Sequence, residues 1–555
     1  MGASPGRSVF WQTLLSGACI VLAFHPFGLT WLAWLTPVGV TLLVQREVLP
    51  GRRPKTSIWL GSFLCWLILF QCVRLPHWAG YIGWPLLSAF LGSYFFLTIL
   101  VARHFVHRWR IPVFVGLPIA WVGMEYIQSR FCTGISLGML SHTQASQPLV
   151  IQVADLAGCY TVSFFMVGIV SGLVFGFTHW KSTPGQLGLG QTLLLLLVLI
   201  SYGRNRLQDA EARNEEHEFC VSIIQGSIDT LFPAEGEYEA YLQSISDEYR
   251  SLSIEACEQP ADLVLWPESM FPVPDVHADP AIRLDGAEQR MVDQLKRQLA
   301  FESRLSTGSI RIVEKKDPAG GKITRAWAEV KKSPPMIVGG NSISLGGSQR
   351  VYNSAILIDS KGKVESRYGK MRLVLFGEFV PLGEAFPWLY NFFPIPPGLK
   401  AGPGPVAMEA GGFLFCPNVC FESTYPHHIR YQLAQLESSG KTVDAIINLS
   451  NDGWFWGSNA LDMHFANNVF RAVENRKPVL VAANTGFSGQ IDSAGRILAK
   501  GPRREKQFLR VKMVTSKQQS LYRLVGDWPV FVCFLAVLSC FLCWIFARFP
   551  SRKLQ

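Results

Sequence analysis

Seven apolar runs follow one another between Ser8 and Tyr202, and an eighth lies at Pro529–Ala547. The first seven are Ser8–Phe24, Gly28–Val44, Ser57–Val73, Ala79–Val101, Ile111–Tyr126, Cys159–Thr178 and Leu187–Tyr202. A helix that crosses a bilayer needs roughly 20 apolar residues, within a range of about 17 to 25. Buried helices of a soluble core would not recur seven times in succession at nearly that length. With 49 % hydrophobic residues and a mean hydropathy of +0.21, the chain is also too apolar for an ordinary soluble enzyme. The pattern predicts a seven-helix transmembrane domain over residues 1–203, a polar globular domain over 217–515, and one transmembrane helix over 527–548.

Lys and Arg collect on cytoplasmic loops. Arg46, Arg52, Arg53 and Lys55 follow the second run, and Arg103, Arg108 and Arg110 follow the fourth. Lys181 follows the sixth, and Arg548, Arg552 and Lys553 follow the eighth. The alternate loops carry only Arg74 and Arg130. This alternation predicts that both termini are cytoplasmic and that the polar segment lies outside. Arg7 before the first run resembles a signal-peptide start, and Ser16-Gly-Ala-Cys19 approaches a lipoprotein cleavage site. It lacks the leucine three residues before the cysteine, so the run is read as a retained helix. The net charge of +10 fits such loops and an anionic membrane surface. No basic, aromatic-interleaved stretch suggests nucleic acid.

Of twelve cysteines, the polar segment holds Cys220, Cys257, Cys416 and Cys420. No pair has zinc-like spacing. Cys416 and Cys420 would share one strand face roughly 13 Å apart at about 3.3 Å per residue, too far to bridge. Strands are predicted at Cys220–Ser227, Ala261–Trp266, Met336–Gly340, Ala355–Asp359, Phe413–Val419, Ala445–Leu449 and Val479–Ala483. Gly236–Glu255 reads as an amphipathic helix. Asp359-Ser-Lys-Gly362 and Asp492-Ser-Ala-Gly495 read as hairpin turns, with Gly supplying the positive φ. Strands alternating with helices and broken by hairpins indicate an α/β layer fold with mixed sheets. Arg311–Pro335, polar and Lys-rich, reads as a solvated insertion without a motif.

Cys420 ends one buried strand, and Glu268 follows another, Leu263–Trp266, with Pro267 ending the ladder. Ligands bind at the carboxyl ends of strands in open α/β sheets. A nucleophilic cysteine needs a base within reach and donors for the oxyanion it creates. Taken singly, a strand-end Cys is more often a core filler, and a Glu after Trp-Pro more often a helix-terminal carboxylate. A Lys in a charged hairpin region, such as Lys370, is normally solvated.

Together with their surroundings these residues resemble the nitrilase, or carbon-nitrogen hydrolase, superfamily. Trp266-Pro267-Glu268 is similar to its glutamate block. Tyr368-Gly-Lys370, followed by Leu373-Val374 and Phe376-Gly377-Glu378, is similar to its lysine block. Val419-Cys420-Phe421-Glu422 is similar to its cysteine block, and Asn448-Leu-Ser-Asn-Asp452-Gly-Trp454-Phe455 to the block after it. The helical lead-in, Phe376-Gly-Glu-Phe-Val-Pro-Leu382 and Ile224-Gln225-Gly226 resemble the membrane members of that superfamily, the apolipoprotein N-acyltransferases. The chain departs from the pattern at Phe421, where Tyr is common, at Leu375, where Pro is common, and at Arg372, where His or Lys is common.

The resemblance implies an αββα sandwich on the periplasmic side of the bacterial inner membrane. It implies Cys420 as nucleophile, Glu268 as general base, and Lys370 with the Phe421 N–H as oxyanion donors. Glu378 and Glu422 would be supporting carboxylates, Glu422 standing equally between a structural and a direct role. Asn451 and Trp454 would shape the pocket, and His464 is read as structural. The reaction implied is ping-pong acylation of the α-amine of a diacylglyceryl-cysteine apolipoprotein from a membrane phospholipid, with no metal or cofactor. The alternatives are a membrane-tethered amidase with water as acceptor and a non-catalytic envelope scaffold. The Pro-rich, aromatic stretch Phe386–Gly398 is too broken for a helix or central strand. It is read as dipping into the bilayer interface as a gate for acyl chains, with plain core packing as the alternative.

Overall fold

The computed structural model describes residues 5–230, 237–278, 284–316, 323–346, 349–392 and 398–546. Every predicted apolar run is helical. The N-terminal part contains α1 (Pro5–Ala23), a 3-10 turn (Thr30–Leu35), α2 (Thr36–Gln45), α3 (Pro54–Leu69), α4 (Gly80–His107) and α5 (Val113–Gln128). Two short helices, α6 (Pro148–Ile151) and α7 (Ala154–Ala157), precede α8 (Cys159–Thr178) and α9 (Thr183–Arg213). The second run divides because Pro37, at the start of α2, lacks the N–H that would continue the preceding turn. The seventh runs on past Tyr202 to Arg213 as a polar extension that leads directly into the first strand. Among the described residues, four helices, α4, α8, α9 and Trp528–Phe546 (α15 below), are long and apolar enough to cross a membrane.

The polar segment is built from β1 (Asn214–Gln225), α10 (Tyr238–Ala256), β2 (Leu263–Trp266), β3 (Asp275–Ala278) and α11 (Gly286–Ser306). Next come β4 (Ile310–Lys316), β5 (Ile323–Glu329), β6 (Met336–Leu345), β7 (Arg350–Ile358), β8 (Val364–Gly369), β9 (Met408–Ala410) and β10 (Phe413–Val419). They are followed by α12 (Pro426–Ser438), β11 (Ala445–Ser450), α13 (Asn459–Asn475), β12 (Val479–Ala483), β13 (Gly489–Ile491), β14 (Ile497–Lys500) and β15 (Gln507–Ser516). The short α14 (Leu521–Val525) and α15 (Trp528–Phe546) complete the order.

One sheet has the order β15-β1-β2-β6-β7-β8, with β3 also on β6, and the other β14-β13-β12-β11-β10-β9. Alternating side chains bury both faces of each sheet. Leu263 and Leu265 of β2 meet Phe415, Ile447 and Leu480 of the second sheet between the layers. Val264 and Trp266 point the other way, against Tyr249 of α10 and Leu299 of α11. On the far face of the second sheet, Ile446 and Val479 join α12 and α13 in one core with the apolar helices. The result is an αββα sandwich whose outer α12–α13 layer is continuous with the helical bundle.

Buried polar groups lock this junction. Asp155 accepts from Tyr202 Oη at 2.6 Å, Arg206 Nε at 2.9 Å and Arg476 Nε at 2.8 Å. Glu474 accepts from the Cys159 N–H at 2.7 Å and Arg471 Nη2 at 2.9 Å. In the region of the predicted insertion, β4 and β5 form an antiparallel hairpin apart from both main sheets. Its residues 317–322 lie outside the described residues, as do 393–397 of the aromatic stretch.

Candidate active site

Glu268, Lys370 and Cys420 stand at the ends of β2, β8 and β10, and all are buried. The Lys370 ammonium lies 3.2 Å from Glu268 Oε1 and 2.8 Å from Glu378 Oε1. Asn353, in the middle of β7, donates from Nδ2 to both carboxylates, at 2.7 and 2.8 Å. Its carbonyl takes the Lys370 N–H at 2.7 Å, so one residue fixes the base, the ammonium and its second counter-charge. The other oxygen of Glu268 accepts the Asn451 N–H at 2.9 Å, and the other oxygen of Glu378 accepts the Val374 N–H at 2.8 Å.

Cys420 has φ +56°, in the left-handed region that β-carbons normally avoid. Such a conformation costs of order 1–3 kcal/mol and persists only where its surroundings over-determine it. Here the Cys420 carbonyl accepts from Asn448 Nδ2 and His464 Nε2, both at 3.0 Å. The turn then winds into a 3-10 segment, Cys420–Thr424.

Glu422, fully buried, ties this turn to the lysine segment. Its Oε1 accepts the Met371 and Arg372 N–H groups at 2.7 and 2.9 Å, and its Oε2 accepts the Val419 N–H at 2.8 Å. Tyr368 Oη donates to it at 2.9 Å. Of the two roles the sequence leaves open, these bonds supply the structural one. Burial alone would raise the Glu422 pKa, but His428 and the backbone donors hold it below the usual carboxylate range.

Burial raises the Cys420 pKa well above that of a free thiol; the Glu268 carboxylate adds to this and Lys370 opposes it. Burial works against the Lys370 charge, yet Glu268, Cys420 and Glu378 outweigh it and hold its pKa well above the ordinary lysine value. The resting state is therefore a neutral thiol beside an ammonium bracketed by two carboxylates. Such a set can transfer the thiol proton to a carboxylate and meet a developing oxyanion with a positive charge.

The remaining sequence-predicted residues gather here. The Phe421 ring stacks on His464 with centroids 5.1 Å apart and meets Phe455 edge-on at 5.6 Å. Asn451 contributes its backbone, while its side-chain oxygen accepts from Asn484 Nδ2 at 2.9 Å. Trp454 is half-buried in the turn Asp452–Phe455. Asn353 is an addition that the sequence reading did not make. For Asn448, Asp452 and His464, named there, it foresaw neither the Asp452–His464 pair nor the bonds to the Cys420 carbonyl. Asn353 and Ser354 precede the apolar run Ala355–Ile358 of β7, so the sequence carried no distinct signal for Asn353. Among the described residues, no cluster of three or more His, Cys, Asp or Glu is arranged to hold a metal ion.

Residues 220–522 match the family model of the carbon-nitrogen hydrolases, more than half of the chain, and the chain belongs to that family. Residues 16–173 match a second model, the apolipoprotein N-acyltransferase N-terminal domain. The apolipoprotein N-acyltransferase of Rhodopirellula baltica is 29 % identical, over 98 % of this chain and 98 % of the relative. That of Geobacter metallireducens is 29 % identical over 96 % and 94 %. Among solved structures, an amidase from Nesterenkonia sp. is 16 % identical, covering 54 % of this chain and 91 % of its own, with a TM-score of 0.33.

Proposed function

We propose that this protein N-acylates lipoproteins by ping-pong chemistry on Cys420, with a membrane phospholipid as acyl donor. Glu268 takes the Cys420 proton as sulfur attacks the ester carbonyl carbon. The tetrahedral oxyanion is met by Lys370 Nζ and the Phe421 N–H, each such donor typically worth about 3–4 kcal/mol. Collapse expels the lysophospholipid oxygen, which recovers the proton from Glu268, and leaves a thioester. The α-amine of a diacylglyceryl-cysteine then attacks the thioester carbonyl and gives its proton to Glu268. Collapse forms the amide and returns the thiol.

The observation that carries this reading is the cluster of Glu268, Lys370 and Glu378 around the turn of Cys420. A thiol held neutral by burial needs a neighbouring base, and Glu268 is the carboxylate that bears most on it. The membrane setting is supported by the core that α12 and α13 share with the apolar helices. The loop between the lysine and cysteine blocks also exposes Phe386, Trp388 and Phe392 rather than packing them in the core. We place this loop at the periplasmic interface of the inner membrane, with both termini cytoplasmic, as the charge alternation implies.

The test is incubation of the protein with phospholipid labelled in its acyl chain. Hydroxylamine-labile label should appear on the wild type and be absent from Cys420→Ala, and a diacylated lipopeptide should clear it into an amide. No label on folded wild type sinks the thioester. Label cleared equally well by water identifies a hydrolase instead.

A further inference from the structure

His464 lies under the Cys420 turn, 2 % exposed, with both ring nitrogens engaged. Nε2 is 3.0 Å from the Cys420 carbonyl oxygen, which can only accept. Nδ1 is 2.9 Å from Asp452 Oδ1, which also takes the Ser450 hydroxyl at 2.9 Å. The carbonyl at Nε2 and the carboxylate at Nδ1 can only accept, so each nitrogen donates and the ring is an imidazolium. The Ser423 hydroxyl, 3.1 Å from Nε2, then serves as a further acceptor. The ring face lies parallel to Phe421, interplanar angle 6°, an arrangement that favours a cation.

The carbonyl that His464 contacts belongs to the same planar, resonance-coupled unit as the Phe421 N–H. Donors on that oxygen draw electron density from the nitrogen and strengthen the N–H as a donor. Asn448 Nδ2 provides a second donor at 3.0 Å. We infer that His464, an imidazolium anchored by Asp452, is a positioning residue that polarises the Cys420–Phe421 peptide and so strengthens the Phe421 N–H toward the oxyanion. The inference rests on the thioester reading above. Burial pulls the His464 pKa down, but Asp452, the Cys420 carbonyl and Glu268 together outweigh burial and keep it above the ordinary histidine value.

The test compares two reactions of Cys420 in the full-length protein in lipid nanodiscs. Acylation from labelled phospholipid passes through an oxyanion, and alkylation by iodoacetamide, read at Cys420 by peptide mapping, does not. His464→Gln retains an N–H donor without the charge. It should slow acylation about ten-fold or more, part of the roughly 10²–10³ that loss of a whole oxyanion donor costs, while alkylation stays near the wild-type rate. Equal slowing of both reactions, or of neither, overturns the inference.

Asp452→Asn supplies a second arm. Without the carboxylate the ring should titrate near or below the usual histidine value of about 6.5, so it regains its charge only as pH falls. The charged or titratable groups that face it are Asp452 on the turn after β11, Glu268 after β2 and Cys420 after β10. Dividing by the wild-type rate at each pH removes the titration common to both proteins, and iodoacetamide alkylation of both over the same pH range corrects for the direct effect of Asp452 on the Cys420 thiol. The ratio of variant to wild-type acylation should rise as pH falls from about 8 to about 6; a flat ratio overturns the inference. Wild type that never acquires label overturns both the inference and the thioester reading, whereas labelled wild type with unresponsive variants overturns the inference alone.

Discussion

Glu378 and Lys370 form the shorter of two buried ion pairs on one ammonium, 2.8 Å against 3.2 Å from Lys370 to Glu268. The carboxylate assigned as base is thus not the nearer partner of the lysine. Glu378 shares the ammonium and leaves Glu268 lone-pair capacity for the thiol proton. Replacing Glu378 by Gln leaves Glu268 as the only counter-charge and draws it toward Lys370. A hydrogen bond to a charged group is worth about 1.5–3 kcal/mol, so single-turnover acylation should fall roughly 10- to 150-fold at about 1.4 kcal/mol per decade. Thermal unfolding of the same sample should shift little, because one ammonium still faces one carboxylate.

Two adjacent glycines of β6 make a sharper test of how Glu268 is placed. A β-carbon on Gly339 would lie 2.4 Å from both Glu268 Cα and Pro267 O, whereas one on Gly340 would meet nothing nearer than Phe271 at 3.5 Å. Backbone cannot yield as a side chain can. Gly339→Ala should cost about 1–3 kcal/mol of stability through overpacking and abolish most acylation by displacing Glu268. Gly340→Ala should stay near wild type in both unfolding and activity assays.

The apolar helices and seven of the fifteen described strands were legible because burial writes a period into sequence, whereas α11, α12, α13 and the remaining strands were not read. Phe413–Val419 and Val479–Ala483 have their predicted bounds: the second is a short apolar run after Pro478, and the first holds its bounds although it contains Pro417 and Asn418. β1 starts at Asn214 rather than Cys220 because its first residues are charged and carry no apolar signal. Their pairing with β15 shows only in three dimensions, in ion pairs such as Glu215–Lys517 at 2.6 Å and Glu218–Lys512 at 2.8 Å. The residues named from family words fall together around one site. Asn353 escaped notice because its partners are distant in sequence, and only the fold brings it beside Glu268, 85 positions away, just as only the fold brings His464 under the Cys420 carbonyl.

The Glu422 clamp predicts an acid limb in stability. Its pKa is depressed in the folded protein, so the unfolded chain takes up a proton first as pH falls. The stabilisation is fully present above the unfolded glutamate value of about 4.3, and it is lost as pH drops below that toward the depressed folded value. Glu422→Gln should flatten this limb in urea unfolding followed against pH. At neutral pH it should cost about 2–4 kcal/mol, because one or two of the N–H groups of Met371, Arg372 and Val419 lose their acceptor.

Trp388 is 58 % exposed and Phe392 57 %, on a loop that also exposes Phe376 and Leu382. Exposed aromatics of this kind add little to folding, and surface substitutions away from special features usually change stability by within about 0.5 kcal/mol. At a bilayer interface the same rings gain free energy by inserting among lipid headgroups. Trp388→Ser with Phe392→Ser should therefore leave thermal unfolding and iodoacetamide modification of Cys420 almost unchanged. Acylation from phospholipid in vesicles should slow several-fold, with the defect in the dependence on lipid concentration and not in the saturated rate. A soluble short-chain ester, which needs no passage from the bilayer, should acylate variant and wild type at similar rates. Equal loss with both donors would mean that these rings support the site itself and do not act at the membrane.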